Sequence, residues 1–267
     1  MELVSLFGYL GALVIGIVLG LIGGGGSILT VPILVYLLGI NPVAATAYSL
    51  FIVGSTALVG AIRNSIKKLV DFKTAIVFAL PAFVAVYLTR KFLVPAIPDY
   101  LFSIGSFEFT KNVAIMIFFA IIMLLASVSM IRKRTEEAES NEAQKFNYPL
   151  ILIEGFVVGI LTGLVGAGGG FLIIPALVLL AKLPMKKAVA TSLLIIAIKS
   201  LIGFIGDVEN STIDWVFLLT FTLTSIVGIF IGIGLNKFID GKKLKKAFGW
   251  FVLIMAIYII LKETIWS

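Results

Sequence analysis

Long apolar stretches alternate with short polar or glycine-rich breaks along almost the whole chain. In the first half, apolar residues dominate positions 3–22, 28–38, 43–62, 74–93 and 113–131. In the second half, they dominate positions 150–165, 171–181, 188–205, 215–235 and 247–261. A helix of about 20 apolar residues is long enough to cross the ~30 Å hydrocarbon core of a bilayer. The pattern therefore predicts an all-α fold, a polytopic transmembrane helical bundle with the lipid bilayer around it.

The two halves of the chain resemble each other at an offset of 143 residues. The stretch GLIGGGGSILTVP, which starts at Gly20, aligns without a gap with GLVGAGGGFLIIP, which starts at Gly163. Matching glycine, proline, alanine and serine positions continue as far as Gly60 and Gly203. Such self-similarity at a fixed spacing indicates an internal duplication.

A polar stretch, RKRTEEAESNEAQKFN, separates the two copies. We predict a first transmembrane repeat over residues 1–131, a polar cytoplasmic linker over 132–147 and a second transmembrane repeat over 148–267. Each repeat contains five apolar segments, one of them short. Because five is an odd number, the two repeats should lie in opposite orientations, as inverted-topology repeats with Gly-broken helices, a recurrent plan of secondary transporters. Whether the short segments span the membrane or re-enter it is left open.

Basic residues are distributed unevenly between the two sides of this topology. With the central linker in the cytoplasm, sixteen Lys and Arg residues fall inside and four, Arg90, Lys91, Lys111 and Lys262, fall outside. Asp207 is placed in an acidic outer loop. An excess of Lys and Arg in cytoplasmic loops is the rule for membrane proteins. We therefore predict a multi-pass protein of the cytoplasmic (inner) membrane with both termini outside.

Composition supports the membrane interpretation and narrows the chemistry. The chain is 60% hydrophobic and only 13% charged, whereas a soluble domain carries about 25% charged residues. Its net charge of +7 lies in short clusters between apolar stretches, which is typical of loops and does not indicate nucleic-acid binding. The absence of Cys and His removes the commonest metal ligands, so we predict no metal site and no cofactor.

Enzymatic function is not expected. Intramembrane serine and zinc proteases need a histidine, which the sequence lacks. The GAGGGF stretch lacks the Gly-Lys-Ser/Thr ending of a nucleotide-binding loop. We therefore predict that the protein is a transporter or a channel.

The glycine breaks are the first candidate binding elements. We expect helices to restart near Ser27 and Gly170, where free N–H groups and positive dipole ends can hold an anion. Glycine also allows a ligand to approach the backbone closely. The alternative is that these glycines only permit tight helix packing. The predicted substrate-binding residues are Gly24, Gly25, Gly26, Ser27, Ser49, Gly168, Gly169, Gly170, Thr191, Ser192 and Lys199.

Two ionisable residues lie within apolar segments. Lys199, in LLIIAIKSLIGFIG, lies well inside its segment, and such a lysine usually faces a cavity or a partner. An anionic substrate would be that partner, while the alternatives are extension to the outer interface or pairing with Asp207. Its counterpart in the first repeat is Thr56, so a basic site would be asymmetric. Glu154 is a weaker candidate, for proton coupling if it lies deep and for an interfacial position otherwise.

The paired glycine breaks, the proline that follows each of them and the Ala-x-Ser elements at Ala47 and Ala190 resemble the TauE/SafE family of membrane transporters. The similarity covers nearly the whole chain and both repeats. The resemblance implies secondary export of a small anion, sulfite or an organosulfonate such as sulfoacetate, across the cytoplasmic membrane. A passive anion channel and a transporter of an unrelated small anion are the alternatives. Proton or ion coupling and a homodimer are left open.

Overall fold

The computed structural model describes residues 2–24, 26–104, 107–132, 148–179, 181–208, 212–235 and 241–265. In the first half the helices are α1 (Glu2–Ile22), α2 (Gly26–Pro32), α3 (Pro42–Ile66), α4 (Phe72–Leu88), α5 (Val94–Ala96) and α6 (Lys111–Ile131). In the second half they are α7 (Tyr148–Val165), α8 (Gly170–Leu179), α9 (Met185–Val208), α10 (Trp215–Leu235) and α11 (Gly241–Ile265). One π-helical turn, Ile33–Leu37, continues α2, and another, Thr89–Leu93, joins α4 to α5.

The helices confirm a polytopic membrane protein. Among the described residues, six helices are long and apolar enough to cross a bilayer: Pro42–Ile66, Phe72–Ala96, Lys111–Ile131, Met185–Val208, Trp215–Leu235 and Lys246–Ile265. Shorter apolar helices are Leu6–Ile22, Gly26–Leu37 and Pro149–Val165. Most of the central linker, residues 133–147, lies outside the described residues.

A small β-hairpin departs from the all-α prediction. Strand β1 (Tyr100–Ile104) pairs antiparallel with β2 (Phe107–Thr110) between α5 and α6. The rings of Phe102 and Phe109 stack with their centroids 4.7 Å apart across the two strands. Aromatic residues at alternate positions of each strand favour this pairing, and the second half of the chain has no matching sequence at the 143-residue offset.

Helix packing follows the 143-residue offset. Helix α1 packs along α10, and its equivalent α7 packs along α4. A side chain at Gly16 would overlap the backbone of Ser225, and one at the equivalent Gly159 would overlap the backbone of Ala82, which is equivalent to Ser225. Matching contacts in both directions mean that each repeat donates its first helix to the other repeat.

Contacts between α3 and α9 give the relative direction of these two helices. Gly54 lies against Leu201, whereas Gly60, further along α3, lies against Leu193, which is earlier in α9. These two equivalent helices therefore run antiparallel. Lys199 is consequently level with the middle of α3.

Helix α2 folds back along α1. Gly26 lies against the backbone of Leu19, whereas Gly8 lies against the side chain of Leu38. With its π-helical turn, α2 covers Gly26–Leu37, about 18 Å at a helical rise of 1.5 Å per residue. The short segment thus returns the chain toward the side where α1 begins, and by itself it is shorter than a ~30 Å hydrocarbon core.

Candidate functional site

The two glycine breaks meet inside the bundle. A side chain at Gly24 would overlap the backbone of Gly170, and a side chain at Gly170 would overlap the backbone of Gly24. Helix α8 begins at Gly170, as expected, and α2 begins at Gly26, one residue before Ser27. The convergence of the breaks thus places the starts of α2 and α8 next to each other. Gly25 lies outside the described residues.

Each break packs on the first turns of a helix from the other repeat. Gly23 has a φ of 80° and lies against Val189 of α9, and the equivalent Gly166 has a φ of 71° and lies against Thr46 of α3. L-amino acids with side chains rarely adopt such positive φ angles. Glycine is therefore required at both positions by backbone conformation as well as by space.

Lys199 lies at the second glycine break. Its side chain is fully buried, and its Nζ donates a 2.8 Å hydrogen bond to the hydroxyl oxygen of Thr162. A Cβ atom at Gly169 would lie 2.8 Å from the same Nζ. The ammonium group is thus next to the backbone turn that precedes α8, and it neither reaches an interface nor pairs with Asp207.

Arg90 and Asp207 form a buried ion pair that the sequence analysis missed. The prediction that both residues lie outside the helical bundle is wrong, because Arg90 is fully buried and Asp207, within α9, is only 4% exposed. The Nε of Arg90 donates a 2.6 Å hydrogen bond to Oδ2 of Asp207. The apolar residues 92–94, which follow Arg90 and Lys91 within the helical stretch Phe72–Ala96, are the signal that could have placed Arg90 in the membrane.

The guanidinium of Arg90 also joins α4 to two other helices. Its Nη1 donates 3.1 Å hydrogen bonds to the hydroxyl of Thr46 in α3 and to the carbonyl of Gly163 in α7. Its Nη2 is buried and has no hydrogen-bond partner among the described residues. Since Gly163 follows Thr162, the two buried cations approach neighbouring residues at the end of α7.

The predicted hydroxyl ligands are distributed over different places. Ser27 donates a 2.7 Å hydrogen bond to the carbonyl of Gly24, and its Cβ would lie 3.1 Å from a side chain at Gly168. The hydroxyl of Ser192 reaches the carbonyl of Gly23 at 3.4 Å, and a closer carbonyl of its own helix at 2.8 Å. Both serines therefore lie at the glycine breaks, and both already donate to carbonyl groups.

Three further candidates lie apart from this centre or have no described partner. Thr191 accepts a 3.0 Å hydrogen bond from the backbone N–H of Asp71, at the turn between α3 and α4, so it is engaged there. The buried hydroxyl of Ser49 has no partner among the described residues. Glu154 is half-buried near the start of α7, and its Oε2 likewise has no described partner.

Comparison with known proteins gives a consistent result. The family profile described as "Sulfite exporter TauE/SafE" matches residues 9–259. A "Probable membrane transporter protein" of Xylella fastidiosa (strain 9a5c) is 29% identical over 251 residues, which cover 92% of this chain and 91% of that protein. The "Probable membrane transporter protein YunE" of Bacillus subtilis (strain 168) is 29% identical over 272 residues, covering 93% and 92%. No solved structure matches the chain at a significant level.

Proposed function

Because this chain belongs to the sulfite exporter TauE/SafE family, whose profile covers residues 9–259, we propose that it exports small sulfur oxyanions across the cytoplasmic membrane. The substrates would be sulfite or organosulfonates such as sulfoacetate, carried by a secondary process. The family is one of membrane transporters, and the names of the similar proteins state membrane transport without a substrate. The sulfur oxyanion class rests on the family description and on the chemistry of the buried site.

The observation that carries the proposal is the position of Lys199. Its ammonium group is buried at the turn before α8, with the hydroxyl of Thr162 as a hydrogen-bond acceptor. A lysine at the centre of a membrane helix costs about 2.5–3.5 kcal/mol on insertion scales, so an anionic partner would stabilise it. The free N–H groups at the start of α8 would add to the attraction.

The packing of the helices supports an inverted-repeat transporter. Equivalent helices α3 and α9 are antiparallel, and the contacts of α1 with α10 repeat in those of α7 with α4. Transporters of this plan hold their substrate near the bilayer midplane between the repeats. Lys199 is level with the middle of α3 and beside the meeting point of the breaks, which fits such a site.

The distribution of charge supports the proposed orientation. The hydrogen bond between Asp71 and Thr191 brings the turn after α3, with Lys67 and Lys68, to the start of α9, where Lys187 lies. Positive charge therefore collects on one face of the bundle, which we place in the cytoplasm. The hydrogen bond of Tyr36 with Glu263 ties the end of α2 to the end of α11 on the opposite face. Both termini are then outside.

The test is anion flux into proteoliposomes that contain the purified chain. Saturable flux of sulfite or sulfoacetate is expected, with little flux of sulfate, and Lys199→Met should reduce it at least about tenfold. Lys187→Met is the matched control, since it removes the same charge from an exposed position of the same helix. It should leave the flux within about twofold.

Three results would count against parts of the proposal. Flux that never saturates would favour a passive channel. Full flux in a folded Lys199→Met variant would remove Lys199 from the substrate site. An absence of flux for all sulfur oxyanions would overturn the substrate class while leaving family membership intact.

A further inference from the structure

Arg90 has hydrogen-bonding capacity that the described part of the chain does not use. Asp207 contacts it through Nε alone, at 2.6 Å, and the two Nη1 hydrogen bonds go to Thr46 and Gly163. The buried Nη2 has no partner among the described residues. A guanidinium binds oxyanions best with two parallel N–H donors, and leaving a buried charged donor without an acceptor is costly. An additional oxygen ligand at Nη2 would remove this cost.

Arg90 lies further along the direction of α9 than Lys199. On α9, Asp207 follows Lys199 by eight residues, about 12 Å along the helix axis. The contacts of Gly203 with Val86 and of Gly206 with Arg90 show that α4 runs beside α9 over this interval, in the same direction. In the proposed orientation, this direction leads from the middle of the membrane to the outside.

We propose that Arg90 is a second anion-binding residue, on the outer side of Lys199, and that Asp207 competes with the transported anion for the guanidinium of Arg90. This inference rests on the proposed function. An oxyanion that leaves Lys199 binds the guanidinium through Nη2 and displaces the carboxylate from Nε. Asp207 then returns to Nε and releases the anion to the outside. The carboxylate thereby prevents Arg90 from holding an anion so tightly that export stops.

A purely structural role of Arg90 makes opposite predictions. In that case the ion pair would only hold α4 to α9, while Thr46 and Gly163 hold it to α3 and α7. Removal of the Asp207 charge would then weaken the fold and leave anion affinity unchanged or lower. Competition instead requires that the loss of the carboxylate tighten anion binding.

The experiment measures dissociation constants of sulfite, sulfoacetate and sulfate by titration calorimetry with the full chain in detergent, at fixed pH and ionic strength. Asp207→Asn should bind sulfite or sulfoacetate about tenfold more tightly than the unmodified chain. The same anion should raise the melting temperature of Asp207→Asn more than that of the unmodified chain, since binding to the folded state stabilises it. The matched control, Asp214→Asn, removes an exposed acid at the start of α10 and should change neither quantity.

The double variant Arg90→Met with Asp207→Asn separates binding from folding. It leaves no buried charge unpaired, so it should fold, and its affinity should fall at least about tenfold below that of Asp207→Asn. A double variant that binds as tightly as Asp207→Asn, or an Asp207→Asn variant without tighter binding, would overturn the inference. If Lys199→Met still abolishes flux when the inference about Arg90 has failed, the proposed transport function remains supported without it. If neither the unmodified chain nor Asp207→Asn binds any of the three anions, both proposals are overturned.

Discussion

The two glycine breaks of this chain share a backbone plan, but their surroundings differ in charge. Gly23 and Gly166 occupy equivalent positions with φ angles of 80° and 71°, each against a helix start of the other repeat. Around the second break lie Lys199, Thr162, Arg90 and Asp207. Their equivalents at the 143-residue offset are Thr56, Leu19, Ile233 and Asn64, which carry no charge. The two halves of the chain thus share the backbone conformation at the breaks, whereas only the second break has charged residues around it.

This difference in charge between the breaks bears on where the proposed anion site lies. A symmetric pair of sites would hold an anion equally well at both breaks. With both buried cations at the second break, the proposed anion site lies at that break alone. The predictions below test this asymmetry, from the largest expected effect to the smallest.

The largest loss of stability is expected when one partner of the buried ion pair is removed. Arg90→Met leaves the carboxylate of Asp207 buried without its cation, which should cost about 3–5 kcal/mol of stability. The equivalent substitution in the other repeat, Ile233→Met, exchanges one apolar side chain for another and should cost less than about 1.5 kcal/mol. The free energy of unfolding in mixed detergent micelles measures both. Equal losses would mean that Arg90 is no more important to the fold than its apolar counterpart.

The next effect should be the same at both breaks. Gly23→Ala and Gly166→Ala each place a residue with a side chain at a positive φ angle, which should cost about 1–2 kcal/mol of folding stability. Each also brings the new methyl group into close contact, with Val189 or with Thr46. Crowding of this kind adds about 1–3 kcal/mol. We expect similar decreases in melting temperature for the two variants. The exposed turn glycine Gly39, which has a φ of 69° and open space around it, is the control and should show the conformational cost alone when changed to alanine.

Much of this architecture could be predicted from the sequence, because apolar length and glycine register are local properties. The broken helices and the restart of α8 at Gly170 lie where they were expected. The position of Arg90 could not be predicted in this way. A basic residue near the end of an apolar segment resembles a loop residue, and only the packing of α9 against α4 brings Asp207 to it.

The hydroxyl candidates show the same limit. Ser27 and Ser192 are both predicted substrate-binding residues, and the structure places both at the breaks. Thr191 is predicted as well, yet one residue of helical rotation from Ser192, about 100° at 3.6 residues per turn, directs its hydroxyl to Asp71. Sequence spacing identifies the element that carries a site, whereas the partner of each side chain depends on tertiary packing.

A smaller effect is expected from moving the positive charge between the repeats. Lys199→Thr should reduce sulfite or sulfoacetate flux about tenfold. The double variant Lys199→Thr with Thr56→Lys transfers the charge to the first break, where the equivalent of Thr162 is Leu19 and offers no hydrogen-bond acceptor. Flux should therefore stay low in the double variant. Recovery to more than about half of the original rate would show that the two breaks are interchangeable.

The smallest effect is expected at the uncharged counterpart of Lys199. The hydroxyl of Thr56 donates a 2.6 Å hydrogen bond to the carbonyl of Ile52 in its own helix, a contact that contributes little to helix stability. Thr56→Val should change the flux by less than about twofold and the free energy of unfolding by less than about 0.5 kcal/mol. Thr162→Val, in contrast, removes the acceptor of a buried ammonium group and should reduce flux about fivefold, which corresponds to roughly 1 kcal/mol. Initial flux rates of the two variants, measured at equal protein density in the same liposomes, make the comparison. If Thr56→Val reduces flux as much as Thr162→Val, then the first break contributes to anion binding without a charge, and the asymmetry between the breaks is not the basis of transport.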